Sequence, residues 1–186
     1  MCIRDRFPDA FIRDATGEIE IIDNRWLNAG SRRTQGLEVA LRGGVEAAGG
    51  RFLAGLDGTY LLKRREKLTP TADYGPSQIG VFTFAGDLSL RWKHNAFVSF
   101  QNDDFLVSLT QIFRHGYKNQ ALPGIASGAI TRPGFNPRVD DYVIYNAAVA
   151  WTGIPGYRLT LGVKNLFDKD PPFAITYDGN TGAGSS

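Results

Sequence analysis

Few side chains in this sequence have the types and spacing that a catalytic or metal site requires. His94 and His115 stand apart from other ligand-type residues, and a metal site needs several ligands in a defined geometry. We therefore interpret both histidines as side chains near a membrane interface. Cys2 is the only cysteine, so the sequence holds no disulfide framework and no cysteine-based metal site. The glycine-rich run 179–184 lacks the Lys-Ser/Thr of a phosphate loop, and no Gly-x-Ser-x-Gly elbow occurs. We expect neither an enzyme nor a bound cofactor.

Ligand recognition is instead expected on loops, since binding residues tend to sit on loops above a rigid scaffold. Tyr74, Tyr117 and Arg132 lie in or beside the two longest polar stretches, 64–86 and 118–138, and are candidate substrate-binding residues. The alternative, ordinary solvated loop side chains, stays open. A net charge of +2 gives no nucleic-acid footprint. The short basic runs at 32–33 and 63–65 are interpreted as solvated loop ends.

The elements that must carry these loops are strands. No run approaches the ~20 continuous apolar residues of a membrane-spanning helix, which excludes a helical membrane protein. Alternation with period two predicts six strands. They are Thr34–Arg42, Arg51–Lys63, Asp87–Phe100, Phe105–Tyr117, Val139–Trp151 and Tyr157–Phe167. These lengths exceed the ~5–6 residues usual in soluble sheets and suit a tilted membrane crossing of roughly 9–11 residues.

The connections between these strands alternate in length. Residues 45–50, 101–104 and 152–156 form short turns rich in Gly, Asn, Asp and Pro, whereas 64–86, 118–138 and the stretch after Phe167 are long. Tight periplasmic turns and large external loops are typical of an antiparallel up-and-down outer-membrane barrel.

Five of the six predicted strands carry an aromatic residue toward each end of their apolar side. Nearest the short turns stand Phe52, Phe100, Phe105, Trp151 and Tyr157, and nearest the long loops stand Tyr60, Trp92, Phe113, Tyr145 and Phe167. Two aromatic rows around an aliphatic band are expected where a barrel wall meets both headgroup layers. Apart from Asp141, the charged side chains of the strands fall on the opposite side, toward a wet interior.

Two runs resemble the TonB-dependent receptors of the outer membrane. Gly162–Pro172 (GVKNLFDKDPP) is similar to their next-to-last strand and the start of the last external loop, and Asn28–Val39 (NAGSRRTQGLEV) resembles their Arg-Thr-x-Gly-Leu-Glu strand start. Between them, Arg91–Asn95 and Asp141-Tyr142 stand where that family begins strands. The likeness covers roughly residues 7 to 170.

The resemblance implies the C-terminal part of a barrel of about 22 strands with an N-terminal plug. It further implies a bacterial outer-membrane location, contact with outer-membrane lipid, and uptake of a siderophore (a ferric siderophore carrying iron), cobalamin, haem or carbohydrate. Import would depend on the TonB energy-transducing complex, reached through an N-terminal part that this sequence lacks. Residues 1–186 would then be an incomplete, unclosed wall of six strands without plug or closing strand, and residues 1–6 would be a junction. Alternatives are a passive porin-like barrel and a soluble carbohydrate-binding β-sandwich.

Overall fold

The computed structural model describes residues 11–23, 30–67, 69, 72–82, 88–119 and 137–172. Its strands are β1 (Phe11–Arg13), β2 (Ile19–Ile22), β3 (Ser31–Ala47), β4 (Gly50–Lys67), β5 (Val81–Phe82), β6 (Trp92–Gln101), β7 (Phe105–Arg114), β8 (Tyr117–Asn119), β9 (Arg138–Val139), β10 (Tyr142–Trp151) and β11 (Leu159–Val163). The chain divides into two compact units. The first unit takes residues up to Arg33 together with Arg65–Pro76, and the second takes Thr34–Arg64 together with the residues from Ser77 onward.

Six strands form one open sheet in the order β11-β10-β7-β6-β4-β3, so each strand lies beside its neighbours in the chain. From β4 to β11 every pairing is antiparallel. All six strands predicted from the period-two alternation are present, which confirms the all-β, up-and-down prediction. The first two are longer than predicted, 17 residues in β3 and 18 in β4.

The short turns join these strands as predicted. Ala48 and Gly49 connect β3 to β4 with φ angles of 53° and 73°. Positive φ at both central residues is the geometry of the two-residue hairpin turn whose twist matches the flanking strands. Between β6 and β7 the Asn102 side chain accepts hydrogen bonds from the backbone N–H groups of Asp104 and Phe105, at 3.1 and 2.8 Å.

Several predicted ends of the other strands are wrong. The third strand was predicted to begin at Asp87 but β6 begins at Trp92, and the sixth was predicted to begin at Tyr157 but β11 begins at Leu159. The fourth strand was predicted to reach Tyr117 but β7 ends at Arg114, and the fifth was predicted to begin at Val139 but β10 begins at Tyr142. A Cβ added to Gly116 would lie 2.5 Å from the carbonyl oxygen of Val139, so the chain leaves the large sheet at this close crossing. The sixth strand was predicted to reach Phe167 but β11 ends at Val163.

The end of β11 has a local cause. Asn165 adopts a left-handed φ of 51°, and its side chain accepts from Lys169 N–H at 3.0 Å and donates to the Lys169 carbonyl at 3.1 Å. Asn tolerates this conformation better than most residues and competes with strand pairing through such local bonds.

The ends of the two long connections fold into a second small sheet, which alternation did not predict. Strand β8 pairs parallel with β5 and antiparallel with β9. Phe82, Tyr117 and Val139 are buried there, with Leu88 and Leu90 packed against them. We call these three strands and their buried side chains the loop sheet. Arg64 is also buried and donates a hydrogen bond to the Ser89 hydroxyl. The connections are therefore partly folded above the strands that they join.

The apolar side of the large sheet is exposed. Its exposed residues include Leu37, Leu41, Phe52, Val98, Phe105, Val107, Leu109, Val149, Leu159, Leu161 and Val163. Among the described residues the buried apolar side chains are Ile79, Phe82, Tyr117, Val139 and Ala150. No second layer of described residues therefore covers this side. The sandwich alternative, which requires it to be a core, is not supported. No helix among the described residues is long and apolar enough to cross a membrane.

The first unit contains a small hairpin that was not predicted. Strands β1 and β2 pair antiparallel with a register shift between Ile12 and Arg13. The Asp14 carboxylate closes the turn, accepting from the Thr16 hydroxyl at 2.7 Å and from the backbone of Glu18 at 2.9 Å. The hydrogen bond from the Thr16 side chain lowers the pKa of Asp14, and the backbone donors of the turn lower it further.

Candidate functional site

The exposed apolar side carries one aromatic row at its short-turn end. Phe52 and Phe100 are register partners on β4 and β6, and their ring centres lie 4.7 Å apart. Phe105 and Trp151 are register partners on β7 and β10. Because partners in a register share a side of the sheet, these rings form one row, as the alternation predicted.

A second aromatic row lies at the long-loop end of the same side. Tyr60 contacts Trp92 at 6.3 Å between ring centres, and Trp92 contacts His94 at 5.5 Å. His94 in turn stacks on Phe113 at 5.0 Å with an angle of 11°. Tyr145 meets Phe167 edge to face at 5.4 Å. We call these six rings the outer row. His94 is part of it, in accord with its interpretation as an interfacial residue.

The other side of the large sheet is charged. Its side chains line a groove of 440 Å³ whose residues include Glu38, Asp57, Thr59, Lys93 and Arg114. Arg42 donates to the Asp57 carboxylate at 2.6 Å and lies 5.4 Å from the Phe97 ring centre. This separation of apolar and charged sides is what lipid on one side and water on the other require, since an Arg or Lys facing the bilayer midplane costs roughly 2–4 kcal/mol.

The first unit brings cations and a phenol together. The Tyr74 hydroxyl lies 2.8 Å from the Ser31 hydroxyl, within hydrogen-bond distance. The Arg33 guanidinium lies 4.6 Å from the Tyr74 ring centre and the Lys67 ammonium 5.8 Å from it. The hydrogen bond to Ser31 lowers the pKa of Tyr74, and the positive charges of Arg33 and Lys67 lower it further. We call Ser31, Arg33, Lys67 and Tyr74 the Tyr74 cluster.

The three candidate ligand residues fall in different places. Tyr74 lies in the Tyr74 cluster. Tyr117 is 7% exposed in the loop sheet, where its ring contacts Phe82 at 6.4 Å and burial raises the pKa of its hydroxyl. Arg132 lies outside the described residues. Sequence reasoning missed Arg33 and Lys67, although the basic pair at 32–33 was a signal. Among the described residues no group of three or more His, Cys, Asp or Glu side chains is placed to hold a metal ion.

A single sheet with an exposed apolar side between two aromatic rows, and a charged side opposite, defines the wall of a membrane β-barrel. A family model described as TonB dependent receptor-like, beta-barrel matches residues 4–166 of the 186-residue chain. The chain belongs to this family. A search of curated proteins and a search of solved structures each found no match. The family resides in the bacterial outer membrane and consists of transporters rather than enzymes, and membership implies a ligand and interaction with TonB.

Proposed function

We propose that this chain forms part of the barrel wall of a TonB-dependent receptor that actively imports a scarce nutrient as an anionic complex, of which a ferric siderophore is one. The observation that supports an anionic ligand is the Tyr74 cluster. Haem, which carries carboxylates, fits the same chemistry, whereas a ligand without net charge would form weaker hydrogen bonds with the Arg33 guanidinium.

The charge balance of the first unit supports this preference. Arg32 forms an ion pair with Glu66 at 2.5 Å, so one cation of the strand ends is offset by a carboxylate. Arg33 is exposed and contacts an aromatic ring rather than an acid. The Arg33 guanidinium also hydrogen-bonds the Tyr74 hydroxyl, but it has five N–H donors and can offer others to a ligand. Charge-assisted hydrogen bonds to carboxylate or phenolate oxygens are about twice as strong as neutral ones.

The open sheet supports the proposal that further strands complete the wall. Strands β3 and β11 form its two edges, and backbone groups at an edge strand have no partner in hydrocarbon. Each such group costs several kcal/mol, so a membrane sheet must close on itself. We place residues 1–186 in the C-terminal part of the barrel domain, with the plug, the TonB-contacting segment and the closing strand supplied from outside this range.

Ligand binding by the full-length receptor tests the proposal. The receptor is titrated with a ferric siderophore, haem, cobalamin and a neutral oligosaccharide, before and after Arg33→Gln. Loss of a hydrogen bond from a charged donor is expected to raise the Kd for the anionic ligand about tenfold or more. Arg51→Gln is the matched control and should leave the Kd unchanged. Arg51 lies at the start of β4, whereas Lys67 of the Tyr74 cluster lies at the end of that strand. Binding of a neutral ligand alone, unaffected by Arg33→Gln, would contradict the proposal.

Active import is tested separately from binding. If the barrel works with TonB, a protonophore that collapses the inner-membrane proton gradient should abolish accumulation of the ligand while leaving its binding intact. A passive porin-like barrel would instead allow the ligand to equilibrate across the membrane at the same rate with or without the protonophore.

A further inference from the structure

Three polar side chains are joined across the apolar side of the large sheet. The His94 Nε2 atom lies 2.9 Å from the Gln111 carbonyl oxygen, and the Gln111 amide nitrogen donates to the Tyr145 hydroxyl at 2.7 Å. The three residues come from β6, β7 and β10, and Gln111 and Tyr145 are register partners. We call this series the polar chain. Ionisable and polar side chains on a membrane-facing surface mark functional sites because burying them in lipid is unfavourable.

The hydrogen bonds of the polar chain all run in one direction. Because the Gln111 amide group donates to Tyr145, its carbonyl oxygen must accept, and Nε2 of His94 must therefore carry the hydrogen. The other ring nitrogen of His94, Nδ1, is buried and has no hydrogen-bond partner among the described residues. Among the described residues, the polar chain therefore ends at His94.

At its other end the polar chain presents a donor. The Tyr145 oxygen already accepts from Gln111, and within the described part of the chain its own O–H has no acceptor. Successive hydrogen bonds that point the same way polarise one another and strengthen the last donor. A phenol O–H that lies beside acyl chains and away from water is unfavourable without an acceptor, so an oxygen that can accept from Tyr145 is favoured there.

We propose that the Tyr145 hydroxyl is a binding site for the ester carbonyl of an outer-leaflet lipid, seated on the outer row. Tyr145 belongs to that row, which lies at the long-loop end of the wall, where the acyl chains of the outer leaflet meet their headgroups. The exposed Phe167 ring beside it and the aliphatic surface below it offer contact to the acyl chain. A lipid ester joins both features in one molecule: an oxygen acceptor attached directly to an apolar chain.

The test compares ester-linked and ether-linked lipids, which differ only in the carbonyl. The full-length receptor is placed in nanodiscs of mixed diacyl and dialkyl phosphatidylethanolamine, and the lipids that remain bound after transfer to detergent are counted by native mass spectrometry. One hydrogen bond predicts a preference of roughly three- to tenfold for the ester-linked lipid. Tyr145→Phe, which keeps the ring and removes the hydroxyl, should abolish the preference. Tyr60→Phe, in the same row but outside the polar chain, is the matched control and should keep it.

Three results would overturn the proposed lipid site. Equal retention of ester and ether lipids by the unmodified receptor overturns the proposal without any variant, so a folding defect in Tyr145→Phe cannot obscure the result. A preference that survives Tyr145→Phe, or that disappears equally in Tyr60→Phe, also overturns it. The result is independent of the imported ligand, since the polar chain and the Tyr74 cluster share no residue.

Discussion

Two single substitutions to arginine at adjacent positions of β7 test which side of the wall faces the membrane and which faces the interior. Leu109 is exposed on the apolar side, between Val98 and Ala147 on the neighbouring strands, and Ser108 lies on the opposite side, beside Ser99. Near the middle of the apolar band, Leu109→Arg should destabilise the barrel by roughly 2–4 kcal/mol. That corresponds to roughly a 30- to 900-fold change in the folding equilibrium, at 1.36 kcal/mol per tenfold. Ser108→Arg faces water and should stay within about 0.5 kcal/mol.

Urea titration of the full-length barrel in lipid vesicles measures both variants, with heat-modifiable migration on a gel as the sign of folding. The two substitutions add the same side chain one residue apart, so they share any effect of arginine on strand propensity or on expression. Equal destabilisation by the two variants, or a larger effect of Ser108→Arg, would refute the assignment of the two sides.

Three further outcomes are expected. Gly58→Ala should displace the Trp92 ring, because the added Cβ would overlap it. Overpacking of about 1–3 kcal/mol should then appear in urea titration, together with a shifted tryptophan emission. Asn165→Ala should loosen the turn after β11, because it removes two side-chain hydrogen bonds and strains a left-handed φ, and limited proteolysis should then cut there sooner. Arg33→Gln should raise the pKa of Tyr74, since a positive charge that favours the phenolate is lost, and ultraviolet titration of the phenol should shift to higher pH.

Much of the large sheet could be predicted from the sequence because the alternation of side chains within each strand is a local property. Side chains alternate sides along a strand, so the spacing of Phe52 and Tyr60, or of Trp92 and Phe100, already places each pair on one side. Charges would be costly on that side, which fixes the register of every strand relative to lipid. The order of the strands follows from the short turns and long loops.

The loop sheet could not be predicted because its strands are too short for alternation to be visible. Strands β5 and β9 have two residues each and β8 has three, and they come from distant parts of the chain. Their pairing depends on side chains such as Tyr117 and Val139 meeting across sequence distance, which no local pattern encodes. The hairpin of β1 and β2 was not predicted because these strands are also short, with three and four residues. The turn from Asp14 to Gly17 between two apolar runs is nevertheless a hairpin signal.

The Tyr74 cluster shows a different limit. Its position in a long polar stretch makes Tyr74 a candidate, whereas the basic pair 32–33 is typical of a solvated loop end and no motif marks Lys67. Only the true ends of β3 and β4, which reach Ser31 and Lys67, bring these side chains to the phenol. Strand ends are the least certain part of any prediction from alternation, and the residues near them carry the proposed binding site.

Collision accessibility of spin labels along β7 tests most directly whether the apolar side of this sheet contacts acyl chains. With Cys2 replaced by serine in the full-length barrel, single cysteines are introduced from Phe105 to Arg114, labelled, and exposed in lipid vesicles to oxygen and to a water-soluble nickel chelate. Labels at Val107 and Leu109 should collide mainly with oxygen and those at Leu106 and Ser108 mainly with nickel, in strict alternation. Uniform nickel accessibility along the strand, or shielding of Val107 and Leu109 from both reagents, would contradict the membrane-facing assignment.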